Sequence, residues 1–76
     1  MSQSSNWCFT LNNYSPLELS HLQSLIDDDN VVYLVFQEET GSEGTPHIQG
    51  YIQFASRKRI AGAKAIIGNR PHLEVA

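Results

Sequence analysis

The chain has 76 residues and a formal net charge of −3 at pH 7, and 41% of its residues are hydrophobic. This length allows one small domain, and the composition is typical of a globular protein rather than a disordered one. The single cysteine excludes an internal disulfide, no apolar run approaches the length of a membrane span, and the first residues lack the basic and apolar segments of a signal peptide.

The first two predicted elements are a strand and a helix. Residues 6–12 alternate between apolar and polar side chains, which is typical of a half-buried strand. Ser15, Pro16 and Glu18 carry the signals of a helix start, with a cap, a proline in the first turn and a capping box. The acidic run and asparagine at 27–30 are expected to end this helix. Its apolar stripe consists of Leu17, Leu19, Leu22, Leu25 and Ile26.

The next two predicted elements form a hairpin. Residues 31–38 are rich in β-branched and aromatic side chains, and they predict the second strand. A polar, glycine-containing loop over 40–45 leads to residues 47–54, where polar and apolar side chains alternate cleanly. This alternation predicts the third strand.

A second helix and a short strand complete the pattern. Ser56 predicts the N-cap of the helix, which runs to about Ile67, and Gly68 follows its end. Gly62 inside this helix costs roughly 1 kcal/mol relative to alanine. Residues 70–75 predict a fourth strand.

The order β-α-β-β-α-β predicts an α+β domain with the ferredoxin-like arrangement, in which two helices cover one face of an antiparallel sheet. Strand alternation assigns each side chain to the covered face or to the open face. The covered face is expected to hold Trp7, Phe9, Leu11, Leu34, Phe36, Ile48, Ile52, Phe54, Leu73 and Val75. The open face is expected to hold Asn6, Thr10, Asn12, Tyr33, Gln37, Glu39, His47, Gln49, Tyr51, His72 and Glu74. An open sheet face of this topology is a common binding surface for single-stranded nucleic acid.

A candidate metal site lies on the open face, beside the hairpin loop. Glu39 and His47 flank the loop on adjacent strands, and Gln49 lies one pleat farther along the third strand. One imidazole nitrogen together with carboxylate and carboxamide oxygens suits Mg²⁺ or Mn²⁺, and a metal held in this way can polarise a phosphate. The alternative is that His47 and Gln49 are ordinary polar residues on a solvated sheet face.

The distribution of charge also bears on nucleic-acid binding. Seven of the eight acidic residues precede position 44, and all five Lys and Arg residues follow position 56. Arg57, Lys58 and Arg59 are expected at the start of the second helix, where the helix dipole adds to an anion site. A local basic patch can bind phosphates on an acidic chain. The alternative is that these residues form only a solvated helix start.

Two segments resemble motifs of a known family. Residues 7–13 read Trp-Cys-Phe-Thr-Leu-Asn-Asn and resemble motif I of the rolling-circle replication initiator proteins (Rep) of small circular single-stranded DNA viruses. Residues 46–51 read Pro-His-Ile-Gln-Gly-Tyr and resemble their metal-binding motif II. These proteins are HUH endonucleases, named for two histidines around a hydrophobic residue. Gln49 stands in place of the second histidine, which is the form of circovirus, nanovirus and alphasatellite-like members. The similarity covers nearly the whole chain.

The resemblance implies a Mg²⁺- or Mn²⁺-dependent endonuclease and nucleotidyltransferase. Such an enzyme nicks single-stranded DNA at a viral stem-loop origin through a tyrosine nucleophile, and it initiates rolling-circle replication in the host nucleus. The resemblance assigns the metal to Glu39, His47 and Gln49. Some DNA-binding residues are implied by the resemblance, and others are suggested by their place on the open face. Together they are Thr10, Asn12, Asn13, Tyr51, Arg57, Lys58 and Arg59.

Motif III of the family, a Tyr-x-x-Lys on a helix, has no match in the sequence. Tyr14, Tyr33 and Tyr51 each lack a lysine three residues later. Covalent catalysis needs a nucleophile in line with the phosphate. We therefore expect residues 1–76 to be an N-terminal endonuclease domain that stops before this motif, lacks the family's helicase domain and does not nick DNA by itself. Self-association through uncovered apolar surface is a further expectation.

Two other hypotheses stay open. A non-catalytic single-stranded nucleic-acid-binding module of the RNA-recognition type would carry stacking aromatic residues on its central strands and would bind no metal. Tyr51 and Tyr33 could each stack on a base. The open-face residues of the two central strands are nevertheless poor for stacking, since they are Thr10, Asn12, His47, Gln49 and Tyr51. A small ferredoxin-like protein-interaction domain is the third hypothesis, but it does not account for the polar cluster on the open face.

Overall fold

The computed structural model describes residues 3–40 and 44–76 of the chain. Its elements are, in order, β1 (Ser4–Asn12), α1 (Pro16–Ser24), β2 (Val31–Thr40), β3 (Pro46–Lys58), α2 (Ile60–Ile67) and β4 (His72–Val75), and a 3-10 turn at Leu25–Asp27 follows α1. The strands form one antiparallel sheet in the order β2-β3-β1-β4. The predicted α+β fold with βαββαβ order is confirmed, and it is consistent with the ferredoxin-like arrangement. Positions 41–43 of the predicted hairpin loop lie outside the described residues.

Helix α1 begins where the capping signals place it. The Ser15 hydroxyl accepts a hydrogen bond from the Glu18 amide at 3.2 Å, and the Glu18 carboxylate accepts one from the Ser15 amide at 2.8 Å. Pro16 is the first residue of the helix. The two reciprocal bonds satisfy backbone donors that the helix itself leaves unpaired. No helix in the described part of the chain is long and apolar enough to cross a membrane.

The apolar stripe predicted for α1 is only partly correct. Leu22 and Leu25 are buried, whereas Leu17 is 83% exposed and Ile26 is 67% exposed. The helix ends at Ser24, and the chain continues as a 3-10 turn. Ile26 therefore leaves the 3.6-residue periodicity on which the prediction depended.

The core lies between the two helices and the covered face of the sheet. Leu34 and Phe36 from β2 are half-buried and pack against it, as predicted. Val75 is the cross-strand partner of Trp7 and therefore lies on the covered face as predicted, but it is 49% exposed. It lies at the end of a four-residue edge strand that pairs only with β1. The buried residues are Trp7, Phe9, Leu11, Leu22, Leu25, Ile48, Ile52, Phe54, Ala63, Ile67 and Leu73.

Gly50 leaves space for an aromatic ring in the middle of the sheet. It lies opposite Phe9 of β1 and Phe36 of β2. A Cβ atom at this position would overlap the Phe9 ring and would lie 2.8 Å from the Phe36 Cβ. The absence of a side chain thus lets the Phe9 ring pack directly on the β3 backbone.

The end of β3 and the start of α2 differ from the prediction. Strand β3 continues to Lys58, where it pairs with Ser4 of β1, and the N-cap of α2 is Arg59 rather than Ser56. The Lys58 ammonium lies 5.8 Å from the centroid of the Phe54 ring. Pairing with β1 therefore overrides the local capping preference of Ser56. Gly68 follows α2 with a φ of 129°, a left-handed conformation that favours glycine.

Candidate functional site

The centre of the candidate site is an imidazole–carboxylate pair beside the hairpin. Glu39 of β2 and His47 of β3 are direct cross-strand partners, so their side chains share one face of the sheet. The His47 Nε2 lies 3.1 Å from the Glu39 Oε1. Both side chains are partly shielded, since the His47 side chain is 21% exposed and that of Glu39 is 35% exposed. The two residues expected to meet across the hairpin are therefore in contact.

Gln49 lies on the same face, two residues beyond His47. Together with Glu39 it lines a shallow depression of about 270 Å³ between β2 and β3. Among the described residues, no three His, Cys, Asp or Glu side chains cluster closely enough to hold a metal ion. A three-ligand set at this place therefore depends on the amide oxygen of Gln49, which is a hard ligand suited to Mg²⁺ or Mn²⁺.

Residues of β1 extend this polar face. Thr10 is the cross-strand partner of Gln49, and Asn12 is the partner of His47. Asn13 follows the strand with a φ of 52°, a left-handed conformation that asparagine tolerates better than most residues. The β1 residues expected to contact DNA thus border the candidate metal ligands.

Two tyrosines occupy the open face farther from the hairpin. The rings of Tyr33 and Tyr51 have centroids 6.0 Å apart and are tilted by 58°. The Tyr51 hydroxyl donates a hydrogen bond of 2.8 Å to the Asn6 side chain. Tyr33 is 52% exposed, and it presents more free ring surface than the half-buried Tyr51.

The three consecutive cations lie at the opposite end of β3 from the hairpin. Arg57 is ten positions from His47 along the strand, which corresponds to about 30 Å of extended chain. Arg57 and Lys58 end β3, so the expectation that they begin the helix is wrong, and Arg59 is its N-cap. The Arg57 guanidinium lies 3.5 Å from the Gln3 carbonyl oxygen.

A second imidazole–carboxylate pair lies on the open face at the edge strand β4. The His72 Nε2 is 3.0 Å from the Glu74 Oε1. The two side chains are 70% and 72% exposed, much more than the pair at the hairpin. Their cross-strand partners in β1 are Thr10 and Cys8.

Sequence reasoning missed a cluster of polar contacts around the start of α1. The Arg70 guanidinium binds the Glu18 carboxylate, with its Nε 2.7 Å from Oε2. This guanidinium and the Ser15 amide lower the pKa of Glu18 to about 2. The Tyr14 hydroxyl donates a 2.6 Å hydrogen bond to Glu38, and this bond raises the pKa of the phenol. These partners are 24 and 52 residues apart in sequence, so no local pattern connects them.

Comparison with known proteins identifies the family of the chain. Residues 4–76 match the viral replication protein family. The chain is 39% identical over 70 residues to Para-Rep C2 of the Subterranean clover stunt C2 alphasatellite, covering 92% of this chain and 25% of that protein. It is 41% identical over 70 residues to the replication-associated protein of Beak and feather disease virus, covering 92% of this chain and 24% of that protein. It is 47% identical over 62 residues to the master replication protein of Faba bean necrotic yellows virus, covering 80% of this chain and 19% of that protein.

The chain therefore spans a quarter or less of the length of these three relatives. Their sources are an alphasatellite, a beak and feather disease virus and a faba bean virus, and this agrees with the circovirus, nanovirus and alphasatellite type that Gln49 indicates. The family match covers all six helices and strands of the described fold. The chain belongs to the viral replication protein family.

Proposed function

We propose that this chain is the metal-binding and DNA-binding part of an endonuclease that nicks single-stranded DNA at a viral replication origin. The observation that carries the proposal is the contact between Glu39 and His47 on the open face, with Gln49 beside it. Membership of the viral replication protein family supports the same function. The parent protein would act in the host nucleus.

The three proposed ligands fit a small divalent cation. Glu39 would supply a carboxylate oxygen, His47 an imidazole nitrogen and Gln49 an amide oxygen. This set favours Mg²⁺ or Mn²⁺ over zinc, which prefers more nitrogen and sulfur ligands. A bound ion would polarise the scissile phosphate and stabilise the charge that develops on it. The protein side chains would hold and orient the phosphate at the hairpin end of the sheet.

Single-stranded DNA is proposed to lie along the open face. Thr10 and Asn12 would contact it beside the metal ligands, and Tyr51 farther along the same face. Asn13 would contact it at the end of β1. The basic residues would bind backbone phosphates at the far end of β3, which would favour a strand lying along the sheet. The basic residues in question are Arg57, Lys58 and Arg59.

We propose that the tyrosine nucleophile lies outside residues 1–76. None of the tyrosines in the sequence has the lysine three residues later that the resemblance implies. The 76 residues would then bind metal and DNA and would leave the phosphodiester bond intact. Joining them to a segment that carries Tyr-x-x-Lys is expected to give cleavage.

A titration with Mn²⁺ tests the metal site. Selective paramagnetic broadening of amide signals is expected around Glu39, His47 and Gln49. The variant His47→Ala is expected to lose this broadening while keeping its fold, because it removes the nitrogen ligand. The matched control is His72→Ala, which removes a histidine from the other imidazole–carboxylate pair of the same face. If His47→Ala binds Mn²⁺ as tightly as the parent chain, the site is wrong.

The same titration separates the proposal from a non-catalytic nucleic-acid-binding module. The tilted pair of Tyr33 and Tyr51 favours this alternative, because exposed rings on a sheet can stack on bases. Binding of a single-stranded oligonucleotide with no selective Mn²⁺ broadening would support the module. Mn²⁺ binding that depends on His47 would support the nuclease.

A further inference from the structure

Arg70 joins three segments of the chain that meet at one end of the sheet. Its Nε lies 2.7 Å from the Glu18 Oε2, and its Nη2 lies 3.0 Å from the Glu18 Oε1. The same Nη2 lies 3.0 Å from the Asn12 carbonyl oxygen and 3.2 Å from the Asn13 carbonyl oxygen. One guanidinium therefore connects the start of α1, the end of β1 and the segment before β4.

The carbonyl groups that Arg70 binds belong to the residues that fix the start of β3. The Asn13 amide donates a 2.8 Å hydrogen bond to the Pro46 carbonyl. Asn12 is the cross-strand partner of His47. Asn13 thus links Arg70 to the residue before His47. Its carbonyl accepts a hydrogen bond from Arg70, and its amide donates one to Pro46.

The geometry around Arg70 differs from that of an ordinary surface ion pair. Exposed ion pairs between two flexible side chains contribute little, because both side chains must be ordered. Here the planar guanidinium binds a carboxylate in a bidentate manner, which is the arrangement in which arginine orients its partner. Glu18 is itself held by the Ser15 amide at 2.8 Å. The remaining acceptors are backbone carbonyls at the end of β1, which carry no side-chain freedom.

We infer that Arg70 is a positioning residue for the candidate metal site. It holds the backbone of Asn12 and Asn13, and through the bond from Asn13 to Pro46 it sets the position of His47 beside Glu39. The inference rests on the proposed function as far as metal affinity is concerned. The restraint of Arg70 on the Asn13 amide is independent of it and can be measured without any metal.

The test compares three variants of the chain. Arg70→Gln removes the charge and the planar fork, and Arg70→Lys keeps the charge but cannot bind Glu18 and both carbonyls together. Lys64→Gln on α2 makes the same change of charge away from the site. The two measurements are hydrogen exchange at the Asn13 amide and Mn²⁺ affinity, both made at a temperature where thermal unfolding shows each variant to be folded.

Both Arg70 variants are expected to exchange the Asn13 amide about tenfold faster than Lys64→Gln, because the local opening becomes easier. Their dissociation constant for Mn²⁺ is expected to rise about tenfold, at the lower end of the roughly 10–100-fold losses seen when groups that orient metal ligands are removed. The exchange of amides in the centre of the sheet is expected to stay as in Lys64→Gln. This contrast separates positioning from a general loss of stability.

Unchanged Asn13 exchange in Arg70→Gln would overturn the inference. So would faster exchange with an unchanged Mn²⁺ affinity, because the backbone restraint would then have no effect on the metal ligands. Absence of Mn²⁺ binding by the parent chain would refute the proposed function and, with it, the metal half of the inference. The exchange measurement would still decide whether Arg70 restrains Asn13. If Arg70→Gln does not fold, Arg70→Lys decides the question.

Discussion

Replacement of Gly50 by alanine is expected to destabilise the fold strongly, although the change adds only one methyl group. The added carbon would overlap the Phe9 ring and lie 2.8 Å from the Phe36 Cβ. Phe9 is only 2% exposed and is enclosed in the hydrophobic core. Overpacking of a core costs typically 1–3 kcal/mol, and rigid neighbours on two sides place this case at about 2–3 kcal/mol.

The expected loss can be measured by thermal unfolding. For a domain of 60–100 residues, 1 kcal/mol corresponds to about 4–8 °C, so Gly50→Ala should lower Tm by about 8–24 °C. A domain of this size has a free energy of unfolding of about 4–11 kcal/mol, so most molecules of the variant should still be folded at room temperature. Circular dichroism during heating would record both the shift and the retained fold.

The matched control is Gly62→Ala, the same substitution inside helix α2. A Cβ at position 62 would meet only the flexible Lys58 side chain, at 3.4 Å or more. Alanine is the better helix former, so this variant should gain about 0.5–1 kcal/mol. Phe9→Leu should lower the free energy of unfolding less in the Gly50→Ala background than in the parent chain, because it removes the ring that the added carbon would overlap. A Tm of Gly50→Ala within about 3 °C of the parent would refute the packing argument.

Three further predictions concern the helix start and the edge strand. Ser15→Ala should lower the free energy of unfolding by about 1 kcal/mol, because it removes the hydroxyl that caps α1, and Tm should fall by about 4–8 °C. The Glu18 carboxyl has its pKa lowered to about 2 from a usual 4.5, so its contribution to stability is complete above about pH 4.5 and is lost as the pH falls towards 2. The difference in Tm between the parent chain and Glu18→Gln should therefore shrink over this interval, and a difference that stays constant would contradict the role of the ion pair with Arg70. Leu73→Ala should lower the free energy of unfolding, measured with a chemical denaturant, by about 2–4 kcal/mol because Leu73 is buried. Val75→Ala should lower it by under about 1 kcal/mol because half of Val75 is exposed. Equal losses would contradict this assignment of the core.

Much of the candidate site followed from strand parity. The alternation of residues 47–54 and the position of Glu39 place carboxylate, imidazole and amide on one face, whatever the details of the hairpin. The register is set by the burial of Ile48 and Ile52, since a slip of one residue would move both side chains to the solvent-exposed face. The contact between Glu39 and His47 was predictable for this reason.

The errors arose where tertiary contacts override local preference. Ser56 is a good N-cap by residue type, yet β3 continues through it because Lys58 pairs with Ser4 at the start of β1. That pairing joins positions 54 residues apart, and no local pattern reports it. The same limit explains why Arg70 was not assigned a role. Its acceptors lie 52 to 58 residues away, and only the folded chain brings them together.

The two imidazole–carboxylate pairs of the open face show what the fold adds to such a pattern. By parity alone His47 with Glu39 and His72 with Glu74 are equivalent, and their nitrogen–oxygen distances are 3.1 and 3.0 Å. The pair at the hairpin joins two strands and is 21% and 35% exposed, whereas the pair on β4 lies along one edge strand and is 70% and 72% exposed. Ordering an exposed long side chain costs up to about 2 kcal/mol of conformational entropy. Because the pair on β4 is more exposed, metal binding there would pay more of this cost than binding at the hairpin pair.

The two pairs are also close in space. Thr10 of β1 is the cross-strand partner of both Gln49 and His72, so these two residues are separated by two strand spacings, or about 10 Å. A Mn²⁺ ion bound at the hairpin pair would broaden signals around β4 as well, although less strongly because they are farther away. The comparison of His47→Ala with His72→Ala therefore adds a direct test of which histidine is the ligand. Burial predicts that binding is lost with the first substitution and kept with the second.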